Sequence, residues 1–167
     1  MNDLLQSVLD SLDDRFKKYI KEKLIDRGDC IVRIDKDSIY SVMEFLKPTF
    51  DFLIDITAID TSELKLSGKS EGFDIVYQLY STLKNIRLRI KSYINKDQKV
   101  RSVSGLWKSA ISLEREVYDM FGIEFFDHPC LERILLPENF ESHPLRKGYP
   151  LKGIGERDHF PRVERAD

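Results

Sequence analysis

The side chains of this 167-residue chain that are able to do chemistry gather in its last third. His128, Cys130, His143 and His159 are the candidate metal ligands or nucleophile partners, and they include all three histidines of the chain. Their spacing fits no zinc pattern, because structural zinc sites bring ligands in short Cys-x-x-Cys or His-x-x-x-His pairs. Two of the histidines precede proline, in His128-Pro129 and His143-Pro144, which is turn chemistry. Loop histidines bonded to backbone or carboxylate are therefore favoured over a metal centre. A hydrolase using His143 or His159 has no GxSxG nucleophile turn to work with. Gly153-Ile-Gly155 lacks a third glycine and a preceding strand, and no GxxxxGK[ST] loop is present, so neither nucleotide fingerprint applies. Cys30 and Cys130 alone cannot hold a four-cysteine iron–sulfur cluster. No catalytic, cofactor-binding or metal-binding residue is assigned on these patterns.

One charge stands out of place. At about 100° per residue, the helix predicted over 106–121 puts Met120, Leu113, Leu106, Val117, Ala110, Phe121, Trp107, Tyr118 and Ile111 on one arc. Lys108, Arg115, Asp119, Ser112 and Glu116 fall on the other. Glu114 lands inside the apolar arc, between Phe121 and Trp107. A lone buried carboxylate costs several kcal/mol, so Glu114 must be paired, neutral or at an opening in the core. The cations nearest in sequence are Arg133, Arg146 and Lys147. The expectation is that one of them, an arginine for its bidentate geometry, pins the C-terminal segment to the helix through Glu114.

The elements that must position these groups follow from periodicity. Residues 3–27 read as a helix through Leu5, Val8, Leu12, Phe16, Tyr19, Ile20 and Leu24, with Gly28 as its C-cap. Residues 30–34 read as a short strand. Residues 38–47 read as a helix with Asp37 as N-cap and Pro48 as its stop. Strands are predicted over 50–59, 73–80 and 86–94, the last two joined as a hairpin through Leu83-Lys84-Asn85. The strand 86–94 sets Ile86, Leu88, Ile90 and Ile94 against a basic face of Arg87, Arg89 and Lys91. Residues 61–72 are polar and read as an exposed loop. From 127 onward the chain holds five of its six prolines and no sustained period. That stretch is too apolar (Leu131, Ile134, Leu135, Leu136, Phe140, Leu145, Leu151) to float, so it needs a surface, its own domain's or a partner's.

Composition narrows the function classes. With 27 basic and 29 acidic residues the formal charge is -2, which argues against a dedicated nucleic-acid binder. The basic residues of the tail (Arg146, Lys147, Lys152, Arg157, Arg162, Arg165) alternate with Glu156, Asp158, Glu164 and Asp167, a mixed solvated or interfacial pattern. No apolar run approaches the roughly 18 residues a spanning helix needs. The start MNDLLQSVLD carries no basic-then-apolar signal segment, and two cysteines fit a reducing compartment.

Residues 114–151, EREVYDMFGIEFFDHPCLERILLPENFESHPLRKGYPL, carry a specific pattern. The first block is Glu114, Arg115, Glu116, Asp119, Phe121 and Gly122. His128, Pro129, Leu131, Arg133, Ile134 and Leu135 follow, then Pro144, Leu145, Arg146, Lys147, Tyr149 and Pro150. This order of helix, glycine, His-Pro, Arg-aliphatic and Pro-Leu-Arg-Lys resembles the C subunit of respiratory complex I, the NADH:quinone oxidoreductase, in the complex I 30 kDa subunit family. One departure is Gly148, where the common form of the motif has aspartate, so an ion pair made by that acid is not expected here.

The resemblance implies a non-catalytic structural subunit of the peripheral arm, with none of the complex's cofactors in this chain. FMN, iron–sulfur clusters and quinone are expected in partner subunits. It implies docking on the large quinone-site subunit (the D subunit), beside the B subunit, with no membrane span. The expected location is the cytoplasmic side of a bacterial inner membrane, or the organelle equivalent. The expected fold is α+β: a mainly antiparallel four-stranded sheet packed by helices over 1–125, then an extended partner-binding arm over 126–167. The equivalent subunit of a related membrane-bound hydrogenase is the nearest alternative. A free-standing RNA- or lipid-binding domain using the basic strand face is the alternative of a different class.

Overall fold

A computed structural model of the chain describes residues 3–63 and 71–155. Helix α1 (Asp3–Phe16) leads through a 3-10 turn, Lys17–Tyr19, into strand β1 (Ile20–Asp26) and then β2 (Asp29–Ile34). A second 3-10 turn, Lys36–Ser38, starts helix α2 (Ile39–Leu46), which is followed by β3 (Phe52–Asp60), β4 (Gly72–Ser81) and β5 (Ile86–Asn95). A short β6 (Val100–Arg101), helix α3 (Ala110–Phe121) and a short β7 (Phe125–Phe126) complete the regular elements.

The main sheet has five strands in the order β1-β2-β5-β4-β3. That corrects the expected four-stranded antiparallel sheet in two ways. β2 and β5 run parallel, pairing Ile31 with Arg89 and Val32 with Ile90, so the sheet is mixed. The fifth strand, β1, occupies sequence that reads as the second half of one long helix. The helical face ends with Leu5, Val8, Leu9, Leu12 and Phe16, all buried. Beyond them the apolar residues leave the core, with Leu24 46% and Ile25 64% exposed. The turn that redirects the chain is Arg27-Gly28, with φ of 49° and 91°, between the paired Asp26 and Asp29. Positive φ at both central residues is the two-residue hairpin geometry that matches strand twist. Gly28 therefore closes a hairpin and does not cap a helix.

The other boundaries differ by a few residues. Asp35, and not Asp37, caps the turn before α2, its side chain accepting the Asp37 N–H. α2 stops two residues short of Pro48. α3 begins at Ala110, four residues later than its apolar period suggests, because 103–109 fold as successive tight turns. Trp107 Nε1–H donates to Phe50 O at 3.2 Å and Ser109 Oγ–H to Leu53 O at 3.3 Å, tying those turns to the start of β3.

One core joins the three helices to a single face of the sheet. Val32, Ile34, Leu53, Ile56, Ile75, Tyr77, Leu79, Leu88 and Ile90 alternate inward and meet Leu12, Phe16, Val42, Met43, Leu46, Ala110, Val117 and Phe121. The opposite face holds the basic side chains of β5, and two of its arginines, Arg33 of β2 and Arg89 of β5, are paired with acids. Arg33 chelates Asp74 and reaches Glu22, while Arg89 bonds Asp29 and Gln78. Burial of apolar area on one side, at about 25 cal/mol per Å², is what orients α3 and so positions everything after it.

Candidate functional site

The residues of the motif converge on the C-terminal end of α3. The last carbonyls of a helix have no partner inside it and must find one outside. Here the first is met by Gly122, whose N–H donates to Tyr118 O at 2.7 Å with φ of 71°, the left-handed cap that favours glycine. The remaining three are met by the segment after Asp127. His143 Nδ1–H donates to Asp119 O at 2.9 Å, the Leu145 N–H to Met120 O at 3.1 Å, and Arg146 Nε–H to Phe121 O at 2.6 Å. The arm is thus a distributed cap. A Cβ on Gly122 would collide with the Arg146 guanidinium and the His143 ring, so glycine is required there twice over. Burial, with the cations Arg146 and Arg133 adding to it, holds the His143 imidazole below its ordinary value against the bond to Asp119 O.

The pin between helix and arm is Asp119. Its residue is 0% exposed. Oδ1 receives Arg133 Nη1 at 2.7 Å, and Oδ2 accepts the N–H groups of Ile134, Leu135 and Leu136 at 3.1, 2.8 and 2.9 Å. Arg133 Nη2 continues to Ser142 O at 3.1 Å, and its guanidinium lies 5.8 Å from the Phe140 ring centroid. Burial alone would raise the Asp119 carboxyl; the three N–H groups and Arg133 outweigh it and hold the group below the usual aspartate value. Arg115 reinforces the same turn, donating to Glu132 O at 3.0 Å and Arg133 O at 2.7 Å.

This corrects the expected pairing. Glu114 is buried, 0% exposed, as its place in the apolar arc requires. Among the described residues no arginine of the arm reaches it. Its partners are the Ser102 hydroxyl at 2.6 Å and the Val103 N–H at 2.7 Å, with His128 Nε2 at 3.9 Å. Burial pushes its carboxyl up to about 7 against those two hydrogen bonds. The arginine pin belongs to Asp119, which the helical wheel puts on the polar arc. The wheel describes one helix alone, and the part of its polar arc that carries Asp119 and Arg115 is covered by the arm, while Ser112 and Glu116 stay exposed.

The other motif residues sort by how they meet this junction. His128 Nε2 bonds Ile111 O at 3.0 Å and its Nδ1 accepts the Cys130 N–H at 3.1 Å, shaping the arm's first turn. The Lys147 N–H donates to Asp60 Oδ2 at 2.8 Å, anchoring the arm to the end of β3. The Tyr149 ring lies 6.2 Å from that of the buried Phe140. Pro144 is half-buried, while Glu116, Pro129 and Pro150 are exposed and stand outside the junction. Leu145 gives its backbone to the helix and leaves its side chain 52% exposed. Phe140 finds the buried place its apolar character requires, whereas Asp60 and Ser102 are junction residues that sequence reasoning missed. Only Asp60 had a signal, the Asp-Thr-Ser turn in which its carboxylate accepts the Ser62 N–H at 2.9 Å. His159, Arg157, Arg162 and Arg165 lie outside the described residues.

Among the described residues, no group of three or more His, Cys, Asp or Glu is placed to hold a metal ion. Cys130 is exposed beside the Glu132 carboxylate, which holds its thiol above the ordinary value, and His143 is spent on the Asp119 carbonyl. What the arrangement does is mechanical: it clamps an irregular segment to a helix end through charged, directional bonds. The clamp buries Phe140 and leaves five of the segment's aliphatic side chains facing out. Ile134, Leu135, Leu145, Leu151 and Ile154 are 39%, 61%, 52%, 107% and 64% exposed.

Comparison with known proteins gives a consistent picture. The family profile described as respiratory-chain NADH dehydrogenase, 30 Kd subunit, matches residues 32–154. The NADH-quinone oxidoreductase C subunit of Trichlorobacter lovleyi is 42% identical over 93% of this chain and 95% of its own length. The NADH-ubiquinone oxidoreductase subunit 9 of Reclinomonas americana is 37% identical over 93% of this chain and 76% of its own length. A chain of the membrane-bound sulfane sulfur reductase, an archaeal respiratory membrane complex, shares the fold with a TM-score of 0.74 and 20% identity, over 97% of this chain and 95% of that one.

Proposed function

The chain belongs to the respiratory-chain NADH dehydrogenase 30 kDa subunit family, and from that membership we propose that it is the C subunit of a proton-translocating NADH:quinone oxidoreductase. In this reading it is a non-catalytic scaffold of the peripheral arm, on the cytoplasmic side of the membrane. It docks on the large quinone-site subunit (the D subunit), next to the B subunit. Electrons pass from NADH to quinone through FMN and iron–sulfur clusters held by the partner subunits, whose relative placement this chain maintains. No helix among the described residues is long and apolar enough to cross a membrane, so attachment runs through protein contacts. The relatives at 37–42% identity favour this complex over a hydrogenase, since the likeness to the sulfane sulfur reductase is one of fold.

The observation that carries the reading is the arm over 127–155. It has no helix or strand, it is bolted to α3 by Asp119 and Arg133, and five of its aliphatic side chains face outward. A segment held in that way presents apolar surface to something other than its own core, as permanent interfaces do. The test is co-purification of full-length Leu135→Asp and Leu145→Asp chains with the complex. Both side chains are mostly exposed, so folding stability should move by no more than about 0.5 kcal/mol while the chain drops out of the complex. Wild-type recovery of the D and B subunits with both variants would refute the docking role of the arm.

A further inference from the structure

We propose that Glu114 and His128 form a proton-operated clasp holding the loop after β6 and the first turn of the arm against α3, closed when the Glu114 carboxyl is neutral and loosened when it is ionised. Three segments meet at this carboxyl: α3 carries it, the loop supplies Ser102 and Val103, and the arm supplies His128. A hydroxyl chain continues outward. Ser102 Oγ lies 2.6 Å from Ser104 Oγ and accepts the Ser104 N–H at 3.1 Å, and Ser104 is half-buried.

The chain of hydroxyls is satisfied in either direction. With the acid neutral, Glu114 Oε2–H donates to Ser102, whose O–H donates to Ser104. With the acid ionised, the Ser104 O–H donates to Ser102, whose O–H donates to Oε2. The proton leaves by relay: the Glu114 proton passes to Ser102 Oγ, the Ser102 proton to Ser104 Oγ and the Ser104 proton to water, which leaves both hydroxyls donating inward.

His128 makes the change mechanical. Its side chain is 0% exposed. In the closed arrangement Nδ1 accepts the Cys130 N–H and Nε2–H donates to Ile111 O, which requires a neutral ring. An ionised Glu114 is a buried charge with that ring edge 3.9 Å away. It is neutralised by turning Nε2–H toward Oε2 or by protonating the ring. The first gives up the Ile111 bond; the second converts Nδ1 into a donor and gives up the Cys130 bond. The other titratable group facing Glu114 is the Tyr77 phenol of β4, buried, without a hydrogen-bond partner and kept neutral by burial and by Glu114 itself. Among the described residues no Lys or Arg forms an ion pair with Glu114. Burial already places its carboxyl at about 7, so the change falls near neutrality.

The test uses the full chain. The carboxyl carbon of Glu114 is followed by 13C NMR from pH 4 to pH 9, with hydrogen exchange of the Val103 and Cys130 amides in the wild type and in Glu114→Gln. Glutamine keeps the shape and hydrogen bonds of the neutral acid and does not ionise. Relative to Glu114→Gln, opening at the two amides of the wild type should rise on the order of 100-fold between pH 5 and pH 8. If the variant does not fold, the wild-type titration decides: the carboxyl carbon and both amide signals should share one midpoint near neutrality. A Glu114 midpoint at its ordinary 4.5, or parallel pH profiles in the two proteins, would overturn the clasp.

Discussion

The residue that decides the junction is Asp119, and its environment sets a sharp contrast between substitutions. Asp119→Ala removes a buried carboxylate that serves one guanidinium and three amides at once. It should cost about 3–5 kcal/mol in chemical denaturation, the range for breaking a buried pair. Arg133→Ala leaves the three amides in place and should cost less, about 1.5–3 kcal/mol. The pH dependence has a definite sign. The folded-state value of Asp119 is depressed, so its contribution is full above the ordinary 3.8 and is lost as the pH falls below it; Asp119→Asn should flatten that acid limb of the stability curve. Gly148 gives the opposite case. Nothing lies within 4 Å of a Cβ built there, so Gly148→Asp, which restores the common motif, should shift stability by no more than about 0.5 kcal/mol. At this scale the sequence exposed the anomaly of Glu114 from helical geometry alone. It could not name the partners, because Ser102 and Val103 reach Glu114 through the parallel pairing of β6 with β7, a tertiary fact.

At the scale of elements, the helices and strands that bury one face were legible from period, and the one misread segment shows why. Tyr19, Ile20 and Leu24 continue the i, i+3, i+4 pattern of α1, but Tyr19 ends a 3-10 turn and Ile20 and Leu24 lie on an edge strand whose side chains mostly stay exposed. Periodicity cannot separate a helix from a solvated edge strand when the strand's own alternation is hidden by lysines and glutamates. The local signal that outranks it is Arg27-Gly28, both at positive φ. Gly28→Ala should therefore lower stability by about 1 kcal/mol, read as a fall in Tm, although a methyl group there meets nothing within 4 Å. Gly122→Ala should cost more, because there the collision with His143 and Arg146 adds to the backbone term. The division between core and arm also needs a precise edge. Ile123 and Phe125 are 2% and 3% exposed and β7 pairs with β6. A truncation after Gly122 would open the core, whereas one after Asp127 should leave a cooperatively unfolding domain with α3 frayed at its end.

For the whole molecule, a one-sided core, a partly paired basic face and an outward-facing arm suit a near-neutral chain to the docking role proposed for it. On the basic strand face that made a nucleic-acid module conceivable, Arg33 is paired with Asp74 and Arg89 with Asp29. Isolated full-length protein should therefore bind RNA or anionic vesicles no more tightly at 50 mM than at 200 mM salt, as a filter-binding or sedimentation assay would report. The identity of the family was legible in 114–151, while the sheet order was not, since nothing local announces that β2 will lie beside β5. That pairing has a kinetic consequence. Ile31 and Arg89 are neighbours in the sheet although 58 positions (89 minus 31) separate them, whereas β1–β2 and β4–β5 are joined by tight turns. The hairpins are able to form in microseconds, and the seam between them must wait for a long loop to close. Newly made chains would pass through a state with two finished ribbons and two open edges, and the speed with which that seam zips sets how long those edges are available to the wrong neighbour.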